Sequence, residues 1–280
     1  NIPNIRIIIT GSSSFDLANQ IGEPLVGRKS TYLLYPISFL ELKPLLTGFE
    51  FEKLLEKVIV YGSYPEVMSK MSKNERVQAL SEITNSYLFK DILIFEGLKN
   101  SAILLNLLRL IAFQIGSEVS LSELGSSLGI DKKTVGRYLH LLEQTYIITP
   151  LRPYFMNRRK SVIKKNKYYF LDLGVRNTIV GNFNSISQRN DIGALWENFL
   201  VIERLKKQAY KPMYANNYFW RTWEQKEVDW VEMRDGKLFG YEFKWNPKAK
   251  SKNKAAWLSA YPKEAVFEVV SQNNFKDFVS

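Results

Sequence analysis

Hydrophobic and polar positions along this chain follow two periods, and each change of period marks a change of element. From Lys226 to Trp245 the sequence KEVDWVEMRDGKLFGYEFKW alternates with period two on either side of Asp235-Gly236. That dipeptide accepts the positive φ angles of a two-residue type I′ turn. The spacing predicts a hairpin in which Arg234 faces Lys237, Trp230 faces Tyr241, Asp229 faces Glu242, Val228 faces Phe243 and Glu227 faces Lys244. Side chains alternate across a strand, so Val228, Trp230, Tyr241 and Phe243 form a core face, and Glu227, Asp229, Glu242 and Lys244 form the other. Upstream, Asp191 to Gln208 places Leu195, Phe199, Ile202 and Leu205 at helical spacing, with Glu197 near the start and off the apolar stripe.

The middle of the chain repeats a helical period three times before returning to strands. Ala102 to Gly116 reads as an apolar helix, and Ser120 to Ile130 opens with Ser-x-x-Glu, the pattern of a capping box. After a short turn at Asp131 a third helix follows, with Val135, Leu139 and Leu142 facing inward. Tyr146 to Tyr154 and Lys167 to Leu171 then read as strands joined by the basic loop NRRKSVIKKN. Helix, helix-turn-helix and a two-stranded wing is the order of a winged helix, whose second turn helix enters the major groove. Lys132, Lys133, Thr134, Arg137 and His140 are its candidate DNA-facing positions. Arg158, Arg159, Lys160, Lys164, Lys165 and Lys167 form the basic wing, which gains affinity for a polyanion by releasing condensed counterions. Read plainly, the unit is a packing module with a solvated basic hairpin.

Asp229 opposite Glu242 is the feature with chemical content. Like charges directly opposite each other are unfavourable, unless a divalent cation sits between them or one carboxyl keeps its proton. An acid on a helix, an Asp on one strand and Glu-x-Lys on the next is an ordering that resembles the PD-(D/E)xK nuclease superfamily. Glu197, Asp229, Glu242 and Lys244 match its four motif positions. Phosphodiester hydrolysis needs hard oxygen ligands for Mg²⁺ or Mn²⁺, which acidifies a bound water and offsets charge in the transition state. Asp229 and Glu242 are the expected ligands. Lys244 would orient the water or stabilise developing charge, and Glu197 would complete the metal shell or position a water. The plain alternative is the wet face of a hairpin, with Glu227 and Lys244 as a surface ion pair. The chain has no cysteine and one histidine, His140, which argues against zinc and against a Cys-His nucleophile.

The first hundred residues carry less chemistry of their own. A short strand, Ile5 to Ile9, runs into Thr10-Gly11-Ser12-Ser13-Ser14, and FDLANQI follows as a helix. The assembled string ITGSSSF, LVGRKSTYLLYPISFLEL, YGSYPEVM and YLFKDIL resembles the C-terminal half of an AAA-type ATPase. LLRLIAFQIGSEVSLSELGSSLGIDKKTVGRYLHLLEQTYII, NRRK, YYFLDLGVRN, ALWENFL, YFWRT, EVDWV and YEFK extend the likeness over nearly the whole chain, to bacterial and archaeal ATPases with a C-terminal, nuclease-like domain of unknown function (DUF4143-type). The resemblance implies an α/β multi-domain protein: a partial AAA-type α/β core and helical lid over 1–95, a winged helix over 96–178, and a PD-(D/E)xK, restriction-endonuclease-like α/β/α domain over 179–280. It also implies nucleotide-sensing roles for Thr10, Ser12 and Arg28 in a parent ATPase. Gly62-Ser63 departs from the two glycines that relatives often carry.

The nucleotide chemistry itself is missing. No G-x-x-x-x-G-K-[ST] loop and no apolar strand ending in paired acids occurs, and NTP hydrolysis needs both a phosphate cradle and an acidic Mg²⁺ ligand. ATP is therefore expected to bind only a full-length parent. A start at Asn1 a few residues before a strand suggests a fragment that lacks its phosphate-binding half, leaving an edge for that half or for a second copy of the chain.

Composition narrows the rest. The 280 residues are 45% apolar and 24% charged, enough for two or three small cores. Thirty-nine Lys and Arg against 28 Asp and Glu give a net charge of +11, which favours a polyanionic partner. A second basic run, NPKAKSKNK from Asn246 to Lys254, follows the Glu-x-Lys strand, and its Lys248 and Lys250 are candidate nucleic-acid contacts. The absence of cysteine suits a reducing cytoplasm. No apolar run reaches the length of a membrane span, the segment around Ile103 to Phe113 being interrupted by Asn106 and Arg109. Three functions remain in view: a Mg²⁺-dependent nuclease on DNA or RNA, a non-catalytic nucleic-acid- or protein-binding scaffold regulated by the ATPase, and a winged-helix DNA-binding regulator.

Overall fold

The computed structural model describes residues 8–11, 30–42, 44, 48–85, 101–155, 165–263 and 265–280. The expected helix over FDLANQI and most of the strand before it lie outside them, as do Ser12, Arg28, Arg158, Arg159, Lys160 and Lys164. Among the described residues are eleven α-helices and one six-stranded mixed sheet. The helices begin with α1 (Phe39–Leu42), α2 (Gly48–Tyr61), α3 (Pro65–Ser69) and α4 (Lys73–Asn85). The next three are α5 (Ser101–Phe113), α6 (Leu121–Leu128) and α7 (Lys132–Gln144). Strands β1 (Ile148–Pro153) and β2 (Lys167–Phe170) lead to α8 (Leu173–Val180) and α9 (Ile192–Tyr210). The chain continues through β3 (Asn216–Arg221), β4 (Glu227–Arg234), β5 (Lys237–Phe243), α10 (Lys254–Ala260), β6 (Ala265–Val270) and α11 (Phe275–Val279).

Local chemistry sets most of these boundaries. Ser120 caps α6 by accepting from Glu123 N–H, and Gly129 ends it at φ 67°. Asp131 caps α7 through the N–H groups of Lys133 and Thr134, a contact typically worth ~1 kcal/mol. Asp172 caps α8 through Gly174 N–H and Val175 N–H, and also accepts from Ser63 N–H at 2.7 Å. At the hairpin tip Asp235 and Gly236 have φ of 51° and 71°, both positive as a type I′ turn requires.

The sheet order is β2-β1-β3-β4-β5-β6. β1–β3 and β5–β6 pair in parallel, and the other neighbours are antiparallel. The two strands expected as a separate wing are thus the outer strands of this sheet, with Arg152 opposite Tyr218 and Tyr154 N–H donating to Phe219 O at 2.6 Å. An isolated antiparallel bridge joins Glu118 to Lys167 beside them. The expected boundary at 178/179 falls inside α8, whose chain has no break until Gly181 at φ 73°. Leu173 and Val175 of α8 share one core with α2, α5, α9 and the strands.

Two apolar layers sandwich the sheet. On one side α9 and α11 pack Phe199, Leu200, Phe275 and Phe278 against Trp230, Tyr241 and Phe243. On the other, Trp257 of α10 packs with Trp220, Val228, Val231 and Leu238. Helix α9 is buried far beyond the predicted stripe, since Trp196, Asn198, Val201, Glu203, Arg204 and Lys206 are buried too. Its buried charged groups and Asn198 are paired as burial demands, whereas the Trp196 ring N–H has no partner among the described residues. Arg204 forms a two-pronged ion pair with Glu232, Glu203 accepts from Phe39 N–H at 2.6 Å, and Lys206 donates to Ile37 O and Glu203. Among the described residues no helix is long and apolar enough to cross a membrane.

Candidate functional site

The hairpin register holds from Arg234 opposite Lys237 to Trp230 opposite Tyr241. It then meets a β-bulge. Across β3 and β4, Tyr218 pairs Val231 and Trp220 pairs Val228, so β4 spends one more residue than β3 between the two pairs. An extra residue bends a strand and re-aims its side chains. Val228 consequently packs beside Val231, Leu238 and Trp257, on the side opposite Trp230. The expected core face of Val228 with Trp230 is therefore split, because simple alternation does not survive the bulge.

The same bulge redistributes the acids. Asp229 accepts a hydrogen bond from Phe243 N–H at 2.7 Å. Glu227 does not pair with Lys244; it accepts from Lys167, at 2.5 Å, and lies 3.3 Å from Arg221. Glu197, projecting from α9, accepts from Lys167 at 3.1 Å and from the Tyr169 hydroxyl at 2.6 Å. Lys167 was expected on the exposed wing, but its side chain is completely buried between Glu197 and Glu227. Its position in β2, an outer strand of the sheet instead of a free hairpin, turns it inward.

This cluster holds three carboxylates around one ammonium. Burial and the charge of Glu197 push the Asp229 carboxyl up to about 8, against the opposing pull of Lys167 and of Phe243 N–H. Burial alone would depress Lys167, but the carboxylates of Glu197 and Glu227 outweigh it and hold the ammonium firmly charged. Gly116 closes the wall next to Glu197. Its φ is +75°, and a Cβ there would stand 3.1 Å from a Glu197 carboxylate oxygen, so this position favours glycine on both counts.

Glu242 lies in a neighbouring environment. It pairs with Lys244 at 2.6 Å, accepts from the Ser251 hydroxyl, and accepts from Asn253 Nδ2 at 3.3 Å. Both Ser251 and Asn253 come from the run read in the sequence only as lysine-rich. Lys244 links the two groups of acids. Burial lowers its pKa, but the hydrogen bond and charge of Glu242 more than compensate, and the charges of Asp229 and Glu197 add to them. Glu242 and Lys244 open onto a cleft of about 410 Å³ that also meets Lys226, Lys250, Lys252 and Asn253. Among the described residues, no three Asp, Glu, His or Cys side chains already converge with metal-holding geometry.

The other expected contacts are distributed over the surface. Lys132, Lys133, Arg137 and His140 are exposed on α7, and Lys165 is exposed before β2. Lys248 is exposed beside the cleft loop, and Lys250 lines the cleft itself. None of the α7 residues lines it. Thr10 is exposed in the short described segment 8–11. Lys167 and Tyr169 had no place in the sequence-derived acid cluster, and Glu227 was read only as a partner of Lys244 on its face. A lysine heading an otherwise aromatic strand, KYYF, was the available signal.

Three family models match successive segments of the chain. A family model described as AAA domain matches residues 1–43. Two described as domains of unknown function match residues 52–186 (DUF8612) and 192–277 (DUF4143). The AAA and DUF4143 matches are consistent with an AAA-type ATPase-like protein. An uncharacterized protein of Mycobacterium tuberculosis is 25% identical over 241 residues, covering 85% of this chain and 52% of the relative. One from Haemophilus influenzae is 28% identical over 215 residues, 73% of this chain and 52% of the relative. One from Methanocaldococcus jannaschii is 22% identical over 254 residues, 85% and 55% respectively. The chain spans about half the length of these relatives. No solved structure matches it.

Proposed function

We propose that residues 179–280 form a PD-(D/E)xK-type phosphodiesterase site for DNA or RNA, carried by an AAA-type ATPase-like protein. The observation that carries this reading is the position of Lys244. It is 2.6 Å from Glu242, within the fields of Asp229 and Glu197, at the edge of a cleft lined by further lysines. A phosphate group drawn into that cleft would meet the lysines and approach the carboxylates together.

The donor set suits a hard divalent cation. It consists of oxygen ligands only, and three acids share one buried lysine, so the cluster carries surplus negative potential once Asp229 is ionised. Asp229 and Glu242 would hold Mg²⁺ or Mn²⁺, which when bound acidifies water and neutralises charge on the phosphorus centre. The protein's own contribution is positional. Phe243 N–H fixes Asp229, Ser251 and Asn253 fix Glu242, and Lys167 with Tyr169 fixes Glu197. Lys244 supplies a cation that stabilises negative charge at the reacting phosphate.

The helices α5, α6 and α7 with the β1–β2 pair follow winged-helix order, and exposed Lys132, Lys133 and Arg137 suit a phosphate backbone. One observation favours a non-catalytic scaffold instead: Lys167 already neutralises Glu197 and Glu227 and ties β2 to α9 and β4. Cleavage of labelled single-stranded DNA, duplex DNA and RNA with Mg²⁺ or Mn²⁺ separates the two. The hydrolase reading expects metal-dependent cleavage by the native chain and none by Asp229→Asn or Lys244→Met. A folded native chain that cuts nothing and binds no Mn²⁺ leaves the scaffold.

A further inference from the structure

The loop between β3 and β4 carries an exposed aromatic side chain outside the core. Trp223 is 90% exposed. Trp196, Trp220, Trp230 and Trp257 are buried, and Trp245 is partly buried with its ring edge-on to Trp196. A single exposed apolar residue is unremarkable by itself. This one is carried on a hydrogen-bonded turn whose next residues line a charged cleft.

The support is a closed turn. Thr222 N–H donates to Lys226 O at 2.9 Å, Gln225 N–H to Thr222 O at 3.1 Å, and Lys226 N–H to the Thr222 hydroxyl at 3.2 Å. Gln225 adopts φ 63° to complete it, and its side chain pairs with Arg221. The next three residues after Trp223, Glu224 to Lys226, line the cleft that contains Glu242 and Lys244. An exposed indole thus immediately precedes, on a hydrogen-bonded turn, the segment that lines a groove whose walls carry Lys226, Lys250 and Lys252. Aromatic platforms interleaved with backbone-tracking cations are how proteins hold unpaired strands, since every base offers a π-face and duplex bases are already stacked on each other.

We propose that the cleft receives single-stranded nucleic acid, with an unpaired base stacked on Trp223 and the adjoining phosphates along Lys226, Lys250 and Lys252. This deepens the reading of the cleft as a phosphodiester site and rests on it for the identity of the polyanion. Duplex ends would engage the lysines alone.

The test uses the intact chain and fluorescence anisotropy with labelled oligothymidylate, its RNA counterpart and a blunt duplex of equal length. The native chain is expected to prefer either single strand over the duplex. Trp223→Ala should weaken single-strand binding about ten-fold, the scale of losing one stacked base, and leave duplex binding unchanged. Lys250→Ala with Lys252→Ala should weaken both and flatten the salt dependence. Quenching of tryptophan fluorescence by oligothymidylate should be present in the native chain and lost in Trp223→Ala. Equal single-strand affinity for the native chain and Trp223→Ala overturns the inference, even if Mn²⁺-dependent cleavage is found. Trp223-dependent binding without cleavage upholds it while the hydrolytic reading falls.

Discussion

Asp229→Asn offers the sharpest test of the acid cluster, because its effect should depend on pH in a calculable way. The Asp229 carboxyl moves from an ordinary 3.8 to about 8 in the folded chain. A group that holds its proton more tightly when folded gives the folded state the greater proton count between those two values. Stability then falls as pH rises through that window. At ~1.4 kcal/mol per pH unit the burden is nil below the unfolded value, grows steadily, and levels off above pH 8 at a ceiling of ~6 kcal/mol. Asparagine cannot ionise, yet its carbonyl oxygen still accepts from Phe243 N–H. The variant should therefore match the native chain near pH 4, exceed it by ~2–3 kcal/mol between pH 5 and pH 6, and exceed it most at about pH 9. For a chain of this length the largest difference corresponds to a Tm gap of about 10 °C. Paired thermal melts of the two proteins across that range measure it. A gap that does not widen between about pH 5 and pH 8, or a variant less stable at every pH, would refute the assignment of Asp229 to a carboxylate-rich enclosure.

Two further substitutions probe the same architecture. Lys167→Met removes the buried ammonium between Glu197 and Glu227 and should cost ~3–5 kcal/mol, the usual penalty for stranding a buried charge; urea unfolding measures it, and adding Glu197→Gln should restore part of the loss. An unchanged midpoint would show that the acids find water when Lys167 is gone. Gly174→Ala would place a Cβ 2.2 Å from Tyr61 O, a backbone clash that cannot be relieved by rotating a side chain, and should destabilise by ~1–3 kcal/mol or more. Hydrogen exchange should show the loss spreading into α2, and a variant as stable as the native chain would contradict the close approach of α8 to α2.

Much of the local structure was legible in the sequence because short-range chemistry decides it. Asp235-Gly236 closes its turn, Ser120 caps its helix, the turn at Asp131 opens the next one, and the hairpin register follows from alternation as far as Trp230. What the pattern could not reveal is where an element goes once formed. The strand containing Lys167 has the same sequence whether it ends a free wing or joins a sheet, and only pairing of β1 with β3 decides that it becomes an outer strand of the larger sheet. Burial of the Lys167 ammonium follows from that long-range pairing. Likewise the near-complete burial of α9 arises because Ile37, Phe39 and Ser63 from the N-terminal part cover its polar side at Glu203 and Lys206; periodicity within α9 carries no trace of that partner.

The bulge in β4 shows how a single residue governs the candidate chemistry. Strict alternation puts Asp229 and Glu242 on one wet face with Glu227 and Lys244, a flat array in which two acids and an ion pair are equally exposed. One extra residue between Val228 and Val231 breaks that array. Glu227 turns to Lys167, Asp229 to the β5 backbone at Phe243, and Glu242 stays with Lys244, Ser251 and Asn253. The acids thereby acquire different surroundings, one cluster against a buried lysine and one at an open cleft, with Lys244 spanning their fields. A surface hairpin needs no such division, since its charges are solvated wherever they point. Bulges concentrate where a side chain must be re-aimed, and here the re-aimed side chain is the acid whose proton is held near neutrality.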